Sequence, residues 1–96
     1  MTKSYYVYIA TNKYNTVFYV GVTNDVLRRM CEHKNKTTKG FTSKYNINRL
    51  VWIEGFGSIE DAIAREKQLK NWHKKWKINL IRKNNLFMKD LTDGLL

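Results

Sequence analysis

One carboxylate lies at an unexpected position in a helix that the sequence predicts from about Ser58 to Asn71. The apolar stripe of this helix consists of Ile59, Ala62, Ile63 and Leu69. Glu66 projects from the middle of the stripe, where a lone buried carboxylate would cost several kcal/mol unless it had a partner. One interpretation is an ion pair with Lys70, one turn along the helix. The other is a carboxylate that faces a cleft and holds a divalent cation or takes part in catalysis.

Two further side chains, Arg29 and His33, lie one turn apart on the first predicted helix. An arginine can bind phosphate, and a histidine can accept or donate a proton. A positive neighbour disfavours a charged imidazole, so we expect His33 to be neutral, with a ring nitrogen that accepts a proton. Tyr8 and Tyr19 lie on two predicted strands, and a turn midway between the strands places Tyr19 opposite Tyr8. Both phenols would then project from the same side of the sheet.

The single cysteine, Cys31, excludes an internal disulfide, and with only two histidines in the chain it excludes a closed zinc site of four such ligands. Cys31 falls on the apolar arc of the first helix, so we expect it in the core rather than as a nucleophile. The arc also contains Val26, Leu27 and Met30. His73 lies in a basic helix with no carboxylate at helical spacing, and the sequence indicates no role for it.

The predicted elements that position these residues follow the order ββαβαα. Two strands over residues 5–10 and 17–22 flank a polar segment with turn-forming asparagines, which is typical of a hairpin. The remaining elements are a helix from 24 or 25 to 34, a loop over 35–48, a strand over 50–53, and helices over 58–71 and 72–83. Ser58 and Asp61 indicate a capping box at the second helix.

This pattern predicts an α+β fold, with a three-stranded, mainly antiparallel sheet flanked by helices. The chain is too short to fill a second hydrophobic core, so we expect a single small domain. The domain is predicted over residues 1–83, and residues 84–96, which show no clear pattern, are predicted as a C-terminal tail.

The charge of the chain narrows the class of partner. The 96 residues carry 18 Lys and Arg against 8 Asp and Glu, a formal net charge of +10. Positive charges on so small a surface repel one another unless a polyanion neutralises them, so nucleic acid is the first candidate partner and an anionic membrane face the second. No apolar run approaches the ~20 residues of a membrane span, and no signal-peptide core follows the N-terminus. We therefore expect a cytoplasmic protein without a membrane segment.

The basic residues cluster in two stretches that also contain aromatic residues, a combination typical of nucleic-acid binding. Residues 28–49 contain seven basic side chains with Phe41 and Tyr45 among them, and residues 65–83 contain eight with Trp72 and Trp76. We predict contacts to nucleic acid from Arg28, Lys34, Lys36, Lys39, Lys44, Lys70, Lys74 and Lys75. For any single aromatic residue the alternative is an ordinary place in the core.

The ordered set of these residues resembles the GIY-YIG nuclease superfamily. The residues that carry the resemblance are Tyr6-Val7-Tyr8, Tyr19-Val20-Gly21, Arg29, His33 and Glu66. The similarity spans residues 5–81 and is greatest to small single-domain bacterial members, the YhbQ-like proteins, which are similar to the N-terminal domain of UvrC. The chain departs from the family pattern at Tyr6, which stands where the first tripeptide has glycine. Asn79 is the nearest match to an asparagine of several larger nucleases.

The resemblance implies an endonuclease that hydrolyses phosphodiester bonds in nucleic acid, with DNA favoured over RNA. It implies one Mg²⁺ or Mn²⁺ ion per active site, held by Glu66. It also implies catalytic roles for Tyr8 as general base, for Tyr19 and His33 in handling the proton, and for Arg29 in gripping the phosphate.

Gly21 is implied to allow close approach of the backbone or the nucleic acid, since any Cβ there would obstruct it. Relatives that recognise a DNA sequence carry additional DNA-reading domains, so the resemblance implies cleavage directed by nucleic-acid structure, in DNA repair or processing. Two alternatives stay open. The first is a nucleic-acid-binding module of the same fold with little or no turnover, and the more remote second is a domain that binds an acidic protein or a membrane surface.

Overall fold

The structure, a computed structural model, describes residues 3–37 and 40–95. The elements in chain order are β1 (Tyr5–Thr11), β2 (Phe18–Thr23), α1 (Val26–Lys34), α2 (Phe41–Lys44), β3 (Arg49–Phe56), α3 (Ile59–Lys70) and α4 (Lys74–Asn84). The strands form an antiparallel sheet in the order β2–β1–β3, with helices against both faces. The predicted α+β class and three-stranded antiparallel sheet are therefore confirmed.

The central strand separates two apolar layers, because its residues alternate between the faces of the sheet. Val7 and Ile9 pack in the larger cluster, which includes Leu69 of α3 and Ile81 of α4. On the opposite face Tyr8 and Ala10 pack in a smaller cluster that includes Met30 of α1. A strand buried on both faces is expected to be apolar throughout, as β1 is from Val7 to Ala10.

The pairing of β1 with β2 differs from the predicted register by two residues. Tyr8 lies opposite Gly21, and Tyr19 lies opposite Ala10, so the prediction that Tyr8 faces Tyr19 directly is wrong. The loop over residues 12–17 sets this register through Asn12, whose side chain bonds both the backbone and the hydroxyl of Thr16. A shift of two residues keeps every side chain on its face, so both phenols still share one side of the sheet.

The first helix is placed as predicted, but its buried face is not. Asp25 caps α1 by accepting a hydrogen bond from the backbone N–H of Arg28 at 3.1 Å. The buried residues are Met30 and His33, whereas Cys31 is exposed. The prediction that Cys31 fills the core is wrong because one residue is about 100° of helix, which turns position 31 away from the face centred on Met30.

The segment predicted as an irregular loop contains the four-residue helix α2. Thr42 is its buried residue, and its carbonyl accepts a hydrogen bond from the backbone N–H of Ile47, which is fully buried. A helix this short shows barely one turn of periodicity, so no sequence pattern could indicate it. Ile47 joins the smaller cluster and thereby anchors α2 beside the first hairpin.

Two further predictions at the end of the sheet are corrected. β3 continues beyond the predicted residues 50–53 to Phe56, because residues 54–56 pair with residues 5–7 of the central strand. This pairing overrides the low strand propensity of Glu54 and Gly55. The capping box at α3 is absent, because the longer side chain of Glu60 accepts the hydrogen bond of the Ser58 hydroxyl at 2.7 Å.

The segment after α4, which shows no pattern in the sequence, packs along β3. Met88 and Thr92 are buried, and the backbone N–H of Leu91 donates to the carbonyl of Leu50 at 2.7 Å. The Asp90 carboxylate accepts hydrogen bonds from the backbone N–H of Leu50 and from Lys34 Nζ of α1. The segment therefore links β3 to α1. Of the described helices, none is long and apolar enough to cross a membrane.

We expect Asp90→Ala to lower the free energy of unfolding by about 1–3 kcal/mol at pH 7, since its partners lose a buried acceptor. Partial burial alone would raise the pKa of Asp90, but the bonds from Lys34, Thr92 and Leu50 outweigh it and lower that pKa. The stabilisation is therefore present above the pKa that Asp90 has in the unfolded chain. It is lost as the pH falls through the lower pKa that Asp90 has in the folded protein. Urea denaturation at several pH values measures it, with the exposed Asp93→Ala as control. A difference between Asp90→Ala and the original protein that persists under strongly acidic conditions would contradict the account.

Candidate active site

The phenol of Tyr8 lies directly over the backbone of Gly21. Tyr8 is 1% exposed, and it comes from the central strand opposite Gly21 in β2. A Cβ at position 21 would lie 2.5 Å from the hydroxyl oxygen of Tyr8 and 2.6 Å from its Cζ. The space above this glycine is thus filled by Tyr8, which is why no side chain is tolerated there. A direct contact of Gly21 with nucleic acid stays a prediction.

The buried partner of Tyr8 is His33 of α1. The Tyr8 hydroxyl and His33 Nε2 are 3.0 Å apart, and both side chains are almost completely buried. Burial, and next the charge of Arg29, lower the pKa of His33, so the imidazole is neutral at pH 7, as the sequence predicts. Within the described residues His33 Nδ1 is buried without a hydrogen-bond partner. The ring is therefore held through its bond to Tyr8 and by packing.

Tyr19 and Arg29 complete this side of the site. The ring centroid of Tyr19 lies 6.1 Å from that of Tyr8 and 5.7 Å from that of His33. The guanidinium of Arg29 forms an ion pair with Glu32 at 3.2 Å and interacts favourably with the nearby phenols of Tyr8 and Tyr19. Burial alone would lower the pKa of Arg29, but these interactions raise it, so the guanidinium stays charged. No sequence pattern assigned a role to Glu32, whose only signal is that it lies three residues after Arg29.

The surroundings of Tyr8 keep its phenol protonated. Burial raises the pKa of Tyr8 to about 12, and the charges of Tyr19 and Glu66 act in the same direction. The interaction with Arg29 lowers the pKa but does not outweigh burial. At pH 7 a phenol of this pKa is ionised in roughly one molecule in 10⁵. The charge of Arg29 is therefore not sufficient to convert Tyr8 to a phenolate at neutral pH.

Glu66 approaches from α3 with its side chain 21% exposed. Its carboxylate lies 3.5 Å from Lys70 Nζ, so the ion pair that the sequence allows is present. The same carboxylate acts on the pKa of Tyr8, which places it in the electrostatic field of the phenol. Ala62 and Leu69 bury the stripe beside it, whereas Ile63 is exposed. The ion pair with Lys70 is therefore present, and a catalytic or cation-binding role of Glu66 stays a prediction.

The donor set suits a hard cation held by few protein ligands. Residues 3–37 and 40–95 contain no group of three or more His, Cys, Asp or Glu side chains that could hold a metal ion. A cation at Glu66 would therefore take one carboxylate and fill its shell with phosphate and water oxygens, which Mg²⁺ accepts. Zinc, which prefers three or four nitrogen or sulfur ligands, does not fit.

The basic residues predicted to contact nucleic acid have different surroundings. Lys34 donates to Asp90 and to the carbonyl of Asn48, so it is bonded within the fold. Arg28 bonds the side chain of Asn24, and Lys74 bonds the carbonyl of Thr16. The predicted contact residues with exposed side chains include Lys36, Lys44, Lys70 and Lys75. Lys39 lies outside the described residues.

A family model described as the GIY-YIG catalytic domain matches residues 4–79. The chain belongs to the GIY-YIG family. In this chain the two tyrosine-containing tripeptides lie on β1 and β2, and the match ends inside α4. Asn79, the nearest candidate for the asparagine of larger members, is exposed on α4 and lines a cavity with Trp72 and Trp76.

Several relatives of this GIY-YIG protein are UPF0213 proteins. One from Fusobacterium nucleatum is 28% identical over 90 residues, which cover 94% of this chain and 89% of the relative. One from Staphylococcus saprophyticus is 29% identical over 77 residues, which cover 80% of this chain and 93% of the relative. The solution NMR structure of a UPF0213 protein from Bacillus halodurans aligns with a TM-score of 0.57 at 29% identity, covering 93% of this chain and 94% of that one. The small GIY-YIG fold is therefore shared with a solved structure.

We expect Gly21→Ala to lower the free energy of unfolding by about 1–3 kcal/mol, because the new methyl group displaces a buried ring. Adding Tyr8→Phe should not restore stability, since ring carbons as well as the hydroxyl are too close. Chemical denaturation measures the loss. Gly55→Ala is the control, because its Cβ would meet flexible side-chain atoms of Lys3 and Tyr6 at 3.2 Å. Equal losses at both glycines would contradict the special role of position 21.

We expect the imidazole of His33 to titrate below pH 6.5, because burial and Arg29 lower its pKa. NMR titration of a His73→Gln variant, which leaves His33 as the only imidazole of the sequence, measures the midpoint. The unfolded chain then binds the proton more tightly than the folded one. The free energy of unfolding should therefore decrease as the pH falls below 6.5 and level off below the folded pKa. A midpoint at or above 6.5 would contradict the buried neutral ring.

Proposed function

We propose that this GIY-YIG protein is an endonuclease that hydrolyses phosphodiester bonds in DNA with one divalent cation per site. The observation that carries the proposal is the buried hydrogen bond of 3.0 Å between Tyr8 and His33, and the charge of Arg29 acts on the same phenol. A phenol and a neutral imidazole in contact form a path for one proton, which is what activation of a water molecule requires.

The proton path follows from the protonation states in the site. The proposal requires the tautomer in which the proton of the neutral imidazole lies on Nδ1, so that Tyr8 donates its hydrogen bond to His33 Nε2. As Tyr8 accepts a proton from the attacking water, its own proton passes to Nε2, so that His33 becomes an imidazolium and no free phenolate is required. The resulting hydroxide attacks phosphorus, the bond from phosphorus to the leaving oxygen breaks, and the leaving oxygen takes a proton from solvent. His33 then returns its proton to solvent through Tyr8. Tyr19, whose ring lies beside both groups, orients the phenol.

Charge stabilisation is assigned to Arg29 and Glu66. Arg29 binds the phosphate through its guanidinium, whose planar donors match phosphate oxygens. Glu66 would hold Mg²⁺ or Mn²⁺, which supplies positive charge to the phosphate and the leaving oxygen. The positive charge of such a cation would also lower the pKa of the Tyr8 phenol and offset the opposing effect of Glu66.

We propose that the structure of the nucleic acid, rather than its sequence, directs cleavage. We also propose that the protein acts in DNA repair or processing in the cytoplasm. The exposed cations near the site, such as Lys36 and Lys44, suit phosphates, which carry no sequence information. This phosphate contact is extended along the surface by Arg28, Lys34, Lys70, Lys74 and Lys75. Lys34 and Lys74 contribute charge while they are bonded to other residues of the fold.

A second candidate function is a nucleic-acid-binding module with little or no turnover. One observation favours it: a Tyr8 pKa of about 12 is far from the neutral value that suits a general base. Under this alternative Arg29 and the basic surface bind the phosphate backbone, and the tyrosines have a structural role.

We expect Tyr8→Phe to reduce the rate of DNA cleavage by about 10²–10⁴-fold, the usual contribution of a general base. Glu66→Gln should reduce it at least as much, because it removes the proposed cation ligand. A nicking assay with Mg²⁺ or Mn²⁺ on single-stranded, branched and duplex DNA measures both rates. Matched controls are Tyr6→Phe, which removes a hydroxyl bonded to the Lys3 carbonyl, and Glu60→Gln on the exposed side of α3.

Two outcomes separate the candidates. Activity retained in both Tyr8→Phe and Glu66→Gln, beside active controls, would contradict the proposed mechanism. Binding without cleavage of any substrate by the original protein would contradict the nuclease and favour the binding module. Binding should weaken as salt increases in either case, so salt dependence does not discriminate between them.

A further inference from the structure

A series of aromatic rings leads from buried Tyr8 and half-buried Tyr19 to the surface through α2. The ring centroid of Phe41 lies 6.2 Å from that of Tyr19, and the centroid of Tyr45 lies 4.7 Å from that of Phe41. Lys44 Nζ lies 5.4 Å from the Tyr45 ring. The proposed site is therefore continuous with a surface of aromatic faces and positive charge.

The outer rings of this series are unusually exposed for their size. Phe41 is 48% exposed and Tyr45 is 38% exposed. The short helix α2 packs inward through Thr42, a smaller and more polar residue than Phe41. Burial of Phe41 in place of Thr42 would remove more apolar surface from water, so packing alone does not explain this orientation. Adjacent exposed rings beside a site indicate an interaction surface.

A cleft of about 430 Å³ continues beyond Tyr45. Its lining suits a nucleotide, with amides for base edges, lysines for phosphate and a second exposed tyrosine. These residues are Asn46, Asn48, Lys13, Lys36 and Tyr14. The volume lies in the range of small-molecule sites, so the cleft has room for one nucleotide.

We infer that Phe41 and Tyr45 stack an unpaired nucleobase next to the phosphate held at Arg29, so that the substrate contains a single-stranded segment at the cut. The inference rests on the proposed nuclease function and specifies its substrate class. In a paired duplex both faces of every base are covered by its neighbours, whereas an unpaired base can stack on an aromatic side chain. Phe41 lies 6.2 Å from Tyr19, whose ring lies 6.1 Å from that of Tyr8, so this base would lie close to the scissile phosphate.

Phe41→Leu tests the stacking, because it keeps an apolar side chain of similar size and removes the aromatic face. We expect its affinity for a short single strand to fall by roughly 5- to 150-fold, the range for loss of one stacked base. Affinity for the matching duplex should change little. Fluorescence anisotropy in the presence of EDTA measures both affinities at one fixed salt concentration, so the readout does not depend on cleavage.

The matched control is Phe87→Leu, which removes a 78% exposed ring from the segment after α4. Phe87 lies outside both basic stretches and outside the ring series of Tyr19, Phe41 and Tyr45. The ratio of single-strand to duplex affinity should stay unchanged in this variant. Strands with 2-aminopurine at successive positions then locate the stacked base, since its fluorescence should be quenched in the original protein and recover in Phe41→Leu.

Each outcome decides one claim. Equal losses for single strand and duplex in Phe41→Leu, no loss at all, or the same loss in Phe87→Leu would overturn the stacking inference. Cleavage of plain duplex as fast as single strand would also overturn it and leave the nuclease proposal intact. Single-strand binding that depends on Phe41, without any cleavage when Mg²⁺ is added, would contradict the nuclease proposal instead.

Discussion

The packing of one phenol against one glycine determines the arrangement of the whole site. Because position 21 has no side chain, the Tyr8 ring can lean across the backbone of β2 and reach His33 on α1. This bond joins the central strand to the helix that also carries Arg29. A side chain at position 21 would separate them, and the buried imidazole would lose its only hydrogen-bond partner within the described residues. Packing and chemistry therefore depend on the same contact.

The same burial that positions the phenol opposes its ionisation. Exclusion of water raises the pKa of Tyr8 to about 12, and Arg29 recovers only part of that shift. In the proposed mechanism the neutral His33 takes up the proton of Tyr8 as the phenol accepts one from water, so that no phenolate forms. The imidazolium produced in this way is short-lived, because burial and Arg29 lower the pKa of His33 and favour its return to the neutral form. The strongly positive chain acts at longer range, where it concentrates polyanions near the site without altering the proton path.

Much of the fold and of the site could be predicted because the relevant signals are local. Alternating apolar residues indicate the strands, Asp25 marks the start of α1, and the spacing of Arg29 and His33 places them on one helical edge. The remaining features depend on distant contacts. The hairpin register follows from the loop at Asn12, α2 depends on the burial of Ile47, and the order of residues 85–95 depends on bonds to Leu50 and Lys34. None of these partners is indicated by a pattern within its own segment.

The two-residue difference in the hairpin register has a consequence for how such proteins diverge. Side chains alternate between the faces of a strand, so Tyr19 stays beside Tyr8 only if their separation along the paired strands remains even. Residues 12–17 lie outside the pairs, so a loop of another length would keep that parity if it held the two strands in the same register. The geometry of the site thus depends on the phase of β2 relative to β1 and not on the number of residues between the two tyrosines. A search based on fixed motif spacing would miss relatives whose hairpin tips have lengthened while the site stayed intact.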